Sequence, residues 1–400
     1  GRGALRRLAA TLVLVFAAFG LAQALYLNQA VREAADALSH ELTTTERGRA
    51  FLASWRARAT FTSPNAFGGW LAALGPLVVV GAWMRARSLG IAATMLVGGA
   101  FVAAGSAGAA GALLIAGVLV ALLRTSPGSR GRRIAAAAAT CTVVGAIIVV
   151  AMAAAGDPTG GKLATLRERF DYARAGFRLL ADTAPFGGGF GAVELRAAAA
   201  FRPGESFSRS LHNWWLEGAV EMGAWFLPFV ALLLVLARRA IRRAKFGATS
   251  EADAVAVAAE STSEASRATA NGLLIGVFLA GVLHPFVNFL PPAWNVDPWL
   301  EAVLVAAATA GAWRVAGAFR YGGPVGSAAL LCGYLAFLVH GLVDFDLAIA
   351  GVAAGFGVSS GLIAGPPPAA SKTSRALTLV LGLLTAFVLP YFALRSAGAI

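Results

Sequence analysis

Leu211-His212-Asn213-Trp214-Trp215-Leu216-Glu217-Gly218-Ala219-Val220-Glu221-Met222-Gly223 is the place where a long polar stretch runs into apolar sequence. From Trp214 to Leu236 the only charged residues are Glu217 and Glu221. A run of that length crosses the roughly 30 Å hydrocarbon core of a bilayer as a helix. The His-Asn pair at its head therefore stands at a membrane edge, with Arg209 three residues before it.

The same pattern recurs along the chain. Of 400 residues, 58% are hydrophobic and 13% charged, about half the charged fraction of a soluble protein. Eleven apolar segments are expected, at about 8–26, 66–84, 89–104, 108–123, 134–155, 213–237, 271–289, 299–318, 325–343, 347–364 and 377–394. The first is longer than a signal-peptide core. Alternating strands of the outer-membrane-barrel kind are absent from the sequence. The fold class is an all-α polytopic transmembrane protein. Gly105-Ser106-Ala107-Gly108 breaks the third segment from the fourth, or brings two helices close.

A net charge of +13 raises nucleic acid as a partner, but the placement of that charge argues against it. Arg2, Arg6 and Arg7, then Arg85 and Arg87, Arg124 to Arg133, Arg238 to Lys245, Arg320, and Lys372 and Arg375 fall on one side of the alternating segments. The short loops near 105–107, 290–298 and 344–346 contain no Lys or Arg. The positive-inside rule then makes the N-terminus cytoplasmic and places loops 27–65 and 156–212 outside. The expected organisation is residues 1–155 as N-terminal membrane helices, 156–212 as a large outer loop with short amphipathic helices, and 213–400 as C-terminal membrane helices. Residues 238–270 are expected to form a cytoplasmic linker, whose Ala-, Ser-, Thr- and Glu-rich part is 247–270.

Loop 156–212 holds Arg167, Arg169, Arg174, Arg178, Arg196, Arg202 and Arg209. Guanidinium groups fit phosphate oxygens, and Arg167, Arg174 and Arg178 recur at helical spacing. Attraction to lipid headgroups explains such a face as readily as a pyrophosphate site does. His212 and Asn213 precede a helix start, whose positive end favours an anion and suits His212 as a proton acceptor. Glu217 and Glu221 lie one turn apart; Glu221 is the deeper, and a carboxylate there needs an arginine or a backbone N–H as partner. Phe186-Gly187-Gly188-Gly189-Phe190-Gly191 could cradle a phosphate, but a plain glycine turn is the better reading, because no strand–helix context or Walker lysine accompanies it. His340, Asp344 and Asp346 are polar groups on the outer side that could bind a metal or an acceptor sugar, though two carboxylates and one histidine do not define a metal site. His284-Pro285-Phe286-Val287-Asn288-Phe289 echoes His340-Gly341-Leu342-Val343-Asp344-Phe345, by chance or as a duplicated helix pair. Cys141 and Cys332 sit inside apolar segments and provide no disulfide framework.

In order along the chain, Thr62-Ser63-Pro64-Asn65-Ala66, Arg169-Phe170-Asp171-Tyr172, Pro185-Phe186-Gly187-Gly188-Gly189-Phe190, His212-Asn213-x-x-Leu216 with Glu221-x-Gly223, and Val339 to Phe345 resemble the signature of the O-antigen ligase and polymerase superfamily. The resemblance implies a bacterial inner-membrane glycosyltransferase of GT-C type that needs no metal or cofactor and works at the periplasmic face. It implies a donor glycan on undecaprenyl pyrophosphate and an acceptor hydroxyl on lipid A-core, a glycan or a protein, with inversion at the anomeric carbon. His212 carries over as the essential histidine and Arg169 as the loop arginine, and Glu221 is the third candidate catalytic residue. Arg174, Arg178, Arg209, Asn213, His340 and Asp344 are the candidate substrate-binding residues. The chain departs from the pattern at Ser106-Ala107-Gly108, where the family has Ser-Arg-Gly. Either Arg174, Arg178 or Arg209 replaces that guanidinium, or donor recognition differs.

Two alternatives stand beside the ligase. One is a polymerase of the same superfamily. The other is a secondary transporter or lipid-linked sugar flippase, using the broken 89–123 hairpin and the two histidine repeats as midplane sites.

Overall fold

Apolar residues spaced three and four apart dictate helices, and helices are what form. The computed structural model describes residues 2–27, 56–57, 59, 63–125, 129–131, 134, 136, 162–189, 191–203, 205, 208, 211–246, 298–319 and 323–342. The ordered elements are α1 (Arg2–Ala22, prolonged by a π turn over Gln23–Leu27), α2 (Pro64–Trp83), α3 (Arg87–Ala104) and α4 (Ala107–Arg124), then α5 (Lys162–Thr183) and α6 (Ala192–Ala200). They continue with α7 (Trp214–Met222), a 3₁₀ turn over Gly223–Trp225, α8 (Phe226–Phe246), α9 (Pro298–Ala318) and α10 (Gly323–His340). Among the described residues there is no strand.

The protein is a polytopic helical membrane protein. Five stretches among the described residues are long and apolar enough to span a bilayer: Arg6–Leu25, Pro64–Trp83, Arg87–Ala104, Ala107–Arg124 and Trp214–Arg242. Their outward residues, such as Met95, Val102, Leu114 and Leu234, are exposed and apolar, as a lipid solvent requires. The expected segments near 134–155, 271–289, 347–364 and 377–394 lie wholly or almost wholly outside the described residues, as does 247–270.

The chain divides into two units, residues 1–107 with 246–333 and residues 108–245 with 334–400. In the first, α2 packs against α1, α3 and α9. Ser63 caps α2 by accepting the Ala66 N–H at 3.0 Å, with Pro64 in the first turn, where a missing N–H costs nothing. Phe16 and Trp70 meet edge to face at 5.4 Å. The α3 face that turns inward is Gly90, Ala93, Val97, Ala100 and Ala104, small residues that allow close helix approach. Gly105 ends α3 in the left-handed conformation at φ +59°, so the expected break is a glycine cap.

In the second unit the span expected at 213–237 is two helices rather than one. Gly223, at φ +57° and ψ −134°, interrupts it before α8 resumes. α8 then continues to Phe246, so the basic residues Arg238 to Lys245 extend the helix into the beginning of the expected linker. Tyr334 of α10 donates its hydroxyl to the Leu233 carbonyl at 3.1 Å.

Glycine packing in the first unit gives a direct test. A Cβ on Gly333 would strike the Ala73 backbone, whereas one on Gly311 would meet nothing within 4 Å. Gly333→Ala is expected to lower the thermal midpoint of the detergent-solubilised protein, because overpacking by about 1–3 kcal/mol exceeds the roughly 0.5–1 kcal/mol gained in helix propensity. Gly311→Ala should leave the midpoint unchanged or raise it.

Candidate active site

The segment from α5 to α7 folds because it has a core of its own. Ala175 and Leu179 of α5, Val193 and Ala200 of α6, Leu211, and Leu216 and Val220 of α7 are buried together, with Leu180 and Phe201 beside them. Burial of each larger side chain contributes about 1.5–3 kcal/mol, which orders a segment whose polar residues alone would not.

Two backbones meet at the rim of this core. The Gly188 N–H donates to the Val220 carbonyl at 2.8 Å, the Gly189 N–H to the Glu221 carbonyl at 3.0 Å, and the Ala224 N–H to the Pro185 carbonyl at 2.7 Å. The Ala184–Pro185 peptide is cis. Gly187, at φ +82°, lies so close that a Cβ would strike the Glu221 carbonyl and the Gly223 nitrogen. The Glu221 carboxylate accepts the Gly191 N–H at 2.9 Å, at the N-cap of α6. One partner of Glu221 is thus the backbone N–H at the start of α6, where a helix N-terminus favours a carboxylate. These amides are used within the protein, so the 185–191 segment is the glycine turn of the plainer reading.

The His212 region is held from several sides. Asn213 caps α7, its Oδ1 accepting the Leu216 N–H at 3.1 Å. The Trp214 N–H donates to the Gly341 carbonyl at 3.2 Å, and the buried Glu217 accepts the Leu211 N–H at 2.8 Å. The first turn of α7 is thereby largely satisfied by protein groups. His212 itself takes a left-handed backbone at φ +50°, uncommon for a residue with a Cβ. Its imidazole stacks on the Tyr172 ring, centroids 5.2 Å apart and planes at 24°. Phe201 meets the other ring edge to face at 6.1 Å. Arg169 donates from Nη1 to the His212 carbonyl at 3.4 Å. Burial, and then the nearby Glu168 carboxylate, push the Tyr172 phenol upward from its ordinary range, so it is neutral near pH 7.

His212, Arg169 and Asn213 are therefore brought together where α5 meets the head of α7. Arg178 turns elsewhere: it grips Glu205 through two 2.7 Å hydrogen bonds and donates to the Ala200 carbonyl at 2.9 Å. Arg174 is exposed, 3.5 Å from Asp171. His340 is fully buried at the end of α10, one residue before the carbonyl that receives the Trp214 N–H; Trp215 also donates to the Leu338 carbonyl at 3.1 Å. Arg209 and Asp344 lie outside the described residues. The sequence pattern missed Tyr172 as a partner of the histidine, although its place three residues after Arg169 was visible. It also missed Arg56 in the first unit, whose Nε donates to the Ala104 carbonyl at 2.8 Å and Nη2 to Asn65 Oδ1 at 2.6 Å. A guanidinium thus stands at the Gly105 turn although residue 107 is alanine.

The described helices define a multi-pass membrane protein in which α5, α6 and α7 form a folded segment that carries the candidate site. Residues 91–227 match the family model described as O-antigen ligase, which supports an O-antigen ligase- and polymerase-like protein of cell-surface polysaccharide biosynthesis. Neither the curated proteins nor the solved structures gave a match.

Two predictions come from this geometry. Gly187→Ala should cost clearly more thermal stability than Gly189→Ala: both residues have φ near +80°, but a Cβ at 189 meets nothing within 4 Å. Comparing the two melting curves separates the backbone contact from left-handed strain. The second concerns pH. The Arg178 hydrogen bond, and next the Arg202 N–H, hold the Glu205 carboxyl down to about 2. A depressed carboxyl stabilises the fold above its ordinary range and loses that contribution as pH falls towards about 2. Protection of the Arg202 amide against hydrogen exchange, corrected for intrinsic rate, should hold from pH 7 to about 5 and decline below it. Glu205→Gln should weaken that protection at pH 7.

Proposed function

We propose that the protein is a bacterial inner-membrane glycosyltransferase that moves a glycan from undecaprenyl pyrophosphate to an acceptor hydroxyl at the periplasmic face, as an O-antigen ligase does. What supports this most is the joint placement of His212 and Arg169 at the head of α7, inside the matched segment. The acceptor oxygen attacks the anomeric carbon from the side opposite the donor oxygen. The new C–O bond forms as the bond to pyrophosphate breaks, and its electron pair departs with the pyrophosphate. His212 takes the hydroxyl proton. Arg169 supplies positive charge where the leaving group becomes more anionic, without a metal ion.

Tyr172 acts through His212. Its ring fixes one face of the imidazole, and the left-handed backbone at 212 turns the side chain towards that ring. A base must be held within a fraction of an ångström to be useful. Glu221 acts from the other end of α7, tying it to the start of α6 and so anchoring the short helix that His212 precedes.

His212→Ala and Arg169→Ala are expected to abolish glycan transfer in reconstituted vesicles while the protein still inserts and accumulates. Wild-type transfer by both would overturn the proposal. Movement of the lipid-linked glycan across the vesicle without transfer would instead indicate a transporter. Tyr172→Phe should keep at least half of the turnover, since it retains the stacked ring. Tyr172→Leu should lower kcat by about 10-fold or more with KM little changed, a split measured by initial rates across acceptor concentrations.

A further inference from the structure

α5 has a second organised face. Arg167, Phe170, Arg174, Phe177 and Ala181 succeed one another at helical spacing, and all five are exposed. Phe177 is 63% and Phe170 37% exposed. The opposite side, with Asp171, Tyr172, Ala175, Leu179 and Thr183, is buried. Arg178, which sequence spacing groups with Arg167 and Arg174, reaches Glu205 instead. Two phenyl rings stand in its place, interleaved with the two remaining guanidinium groups.

We propose that this stripe rests on an anionic bilayer surface, with Phe170 and Phe177 inserted at the level of the upper acyl chains and Arg167 and Arg174 on lipid phosphates. Phenyl rings and arginines are the residue types by which interfacial helices bind an anionic bilayer, and here one exposed stripe carries both. Arginine stems reach upward along the apolar layer while their heads stay with phosphate. The stripe carries no carboxylate, and its charge complements an anionic leaflet, where each basic residue contributes by attraction. It is also one residue wide, too narrow for the roughly 800 Å² per partner of a stable protein interface, but sufficient for a flat lipid surface. The membrane-spanning helices of the same chain hold it near that surface. The proposal is independent of which glycan or acceptor is used.

The test uses the full-length protein carrying Cys141→Ala and Cys332→Ala. Single cysteines replace Phe170, Phe177 or, as a control off the stripe, the exposed Asp182, and each bears a nitroxide label. In proteoliposomes of phosphatidylglycerol and phosphatidylethanolamine, labels at 170 and 177 should collide with oxygen several-fold more than with a water-soluble nickel chelate. The label at 182 should show the reverse preference. In pure phosphatidylcholine, or with Arg167→Gln and Arg174→Gln in the anionic lipid, the oxygen preference at 177 should fall by at least 2-fold. Thermal melting of each labelled protein checks that the inward core is intact. Labels at 170 and 177 as accessible to water as the label at 182 would overturn the proposal. So would labels shielded from both reagents, which would mean that protein covers the stripe. An oxygen preference unchanged by lipid charge and by the arginine substitutions would remove the electrostatic half of the contact.

Discussion

Backbone lying on backbone, at Pro185–Gly189 against Val220–Ala224, is the constraint from which the site takes its shape. Main-chain groups can approach so closely only where side chains are absent, which is why Gly187 and Gly223 occupy the crossing. Three hydrogen bonds run between the two segments. They fix the end of α7 to the end of α5, divide the apolar span at Gly223, and direct Glu221 to the N-cap amide of α6. The position of His212 at the other end of α7 depends on that anchorage, because α7 is only nine residues long.

Much of this was legible in the sequence, and the limits have physical causes. Helices within the membrane follow from apolar length alone, and α2, α3, α4, α9 and α10 form close to where that length places them. The Ser63-Pro64 start and the Asn213 cap are local signals, readable because a cap binds residues only three apart. The break at Gly223 was hidden: it depends on a turn more than thirty residues earlier, which no local pattern reports. The extension of α8 to Phe246 was obscured by its charges, which end an apolar run without ending a helix.

The arginines show the same boundary more sharply. Their number and sign are visible in the chain, but their partners are set by tertiary approach. Arg178 and Glu205 are 27 positions apart and form a two-pronged ion pair. Arg56 finds Asn65 and the end of α3, in a region where the missing arginine at residue 107 had drawn attention to the loop arginines instead. Sequence spacing identifies which side chains share a helix face; it does not say which of them another segment will claim.

The Trp215–Leu338 hydrogen bond has a consequence for biogenesis. Its partners are 123 residues apart, so the head of α7 cannot be completed until the far end of α10 has left the ribosome. At about 5–20 residues per second that is an interval of roughly 6–25 s. Throughout it the loop can fold on its own hydrophobic core, while the indoles of Trp214 and Trp215 await the helix end that receives them. Premature termination before residue 338 would therefore yield a chain that inserts and carries the whole matched domain, yet lacks the late helix that finishes the histidine's surroundings.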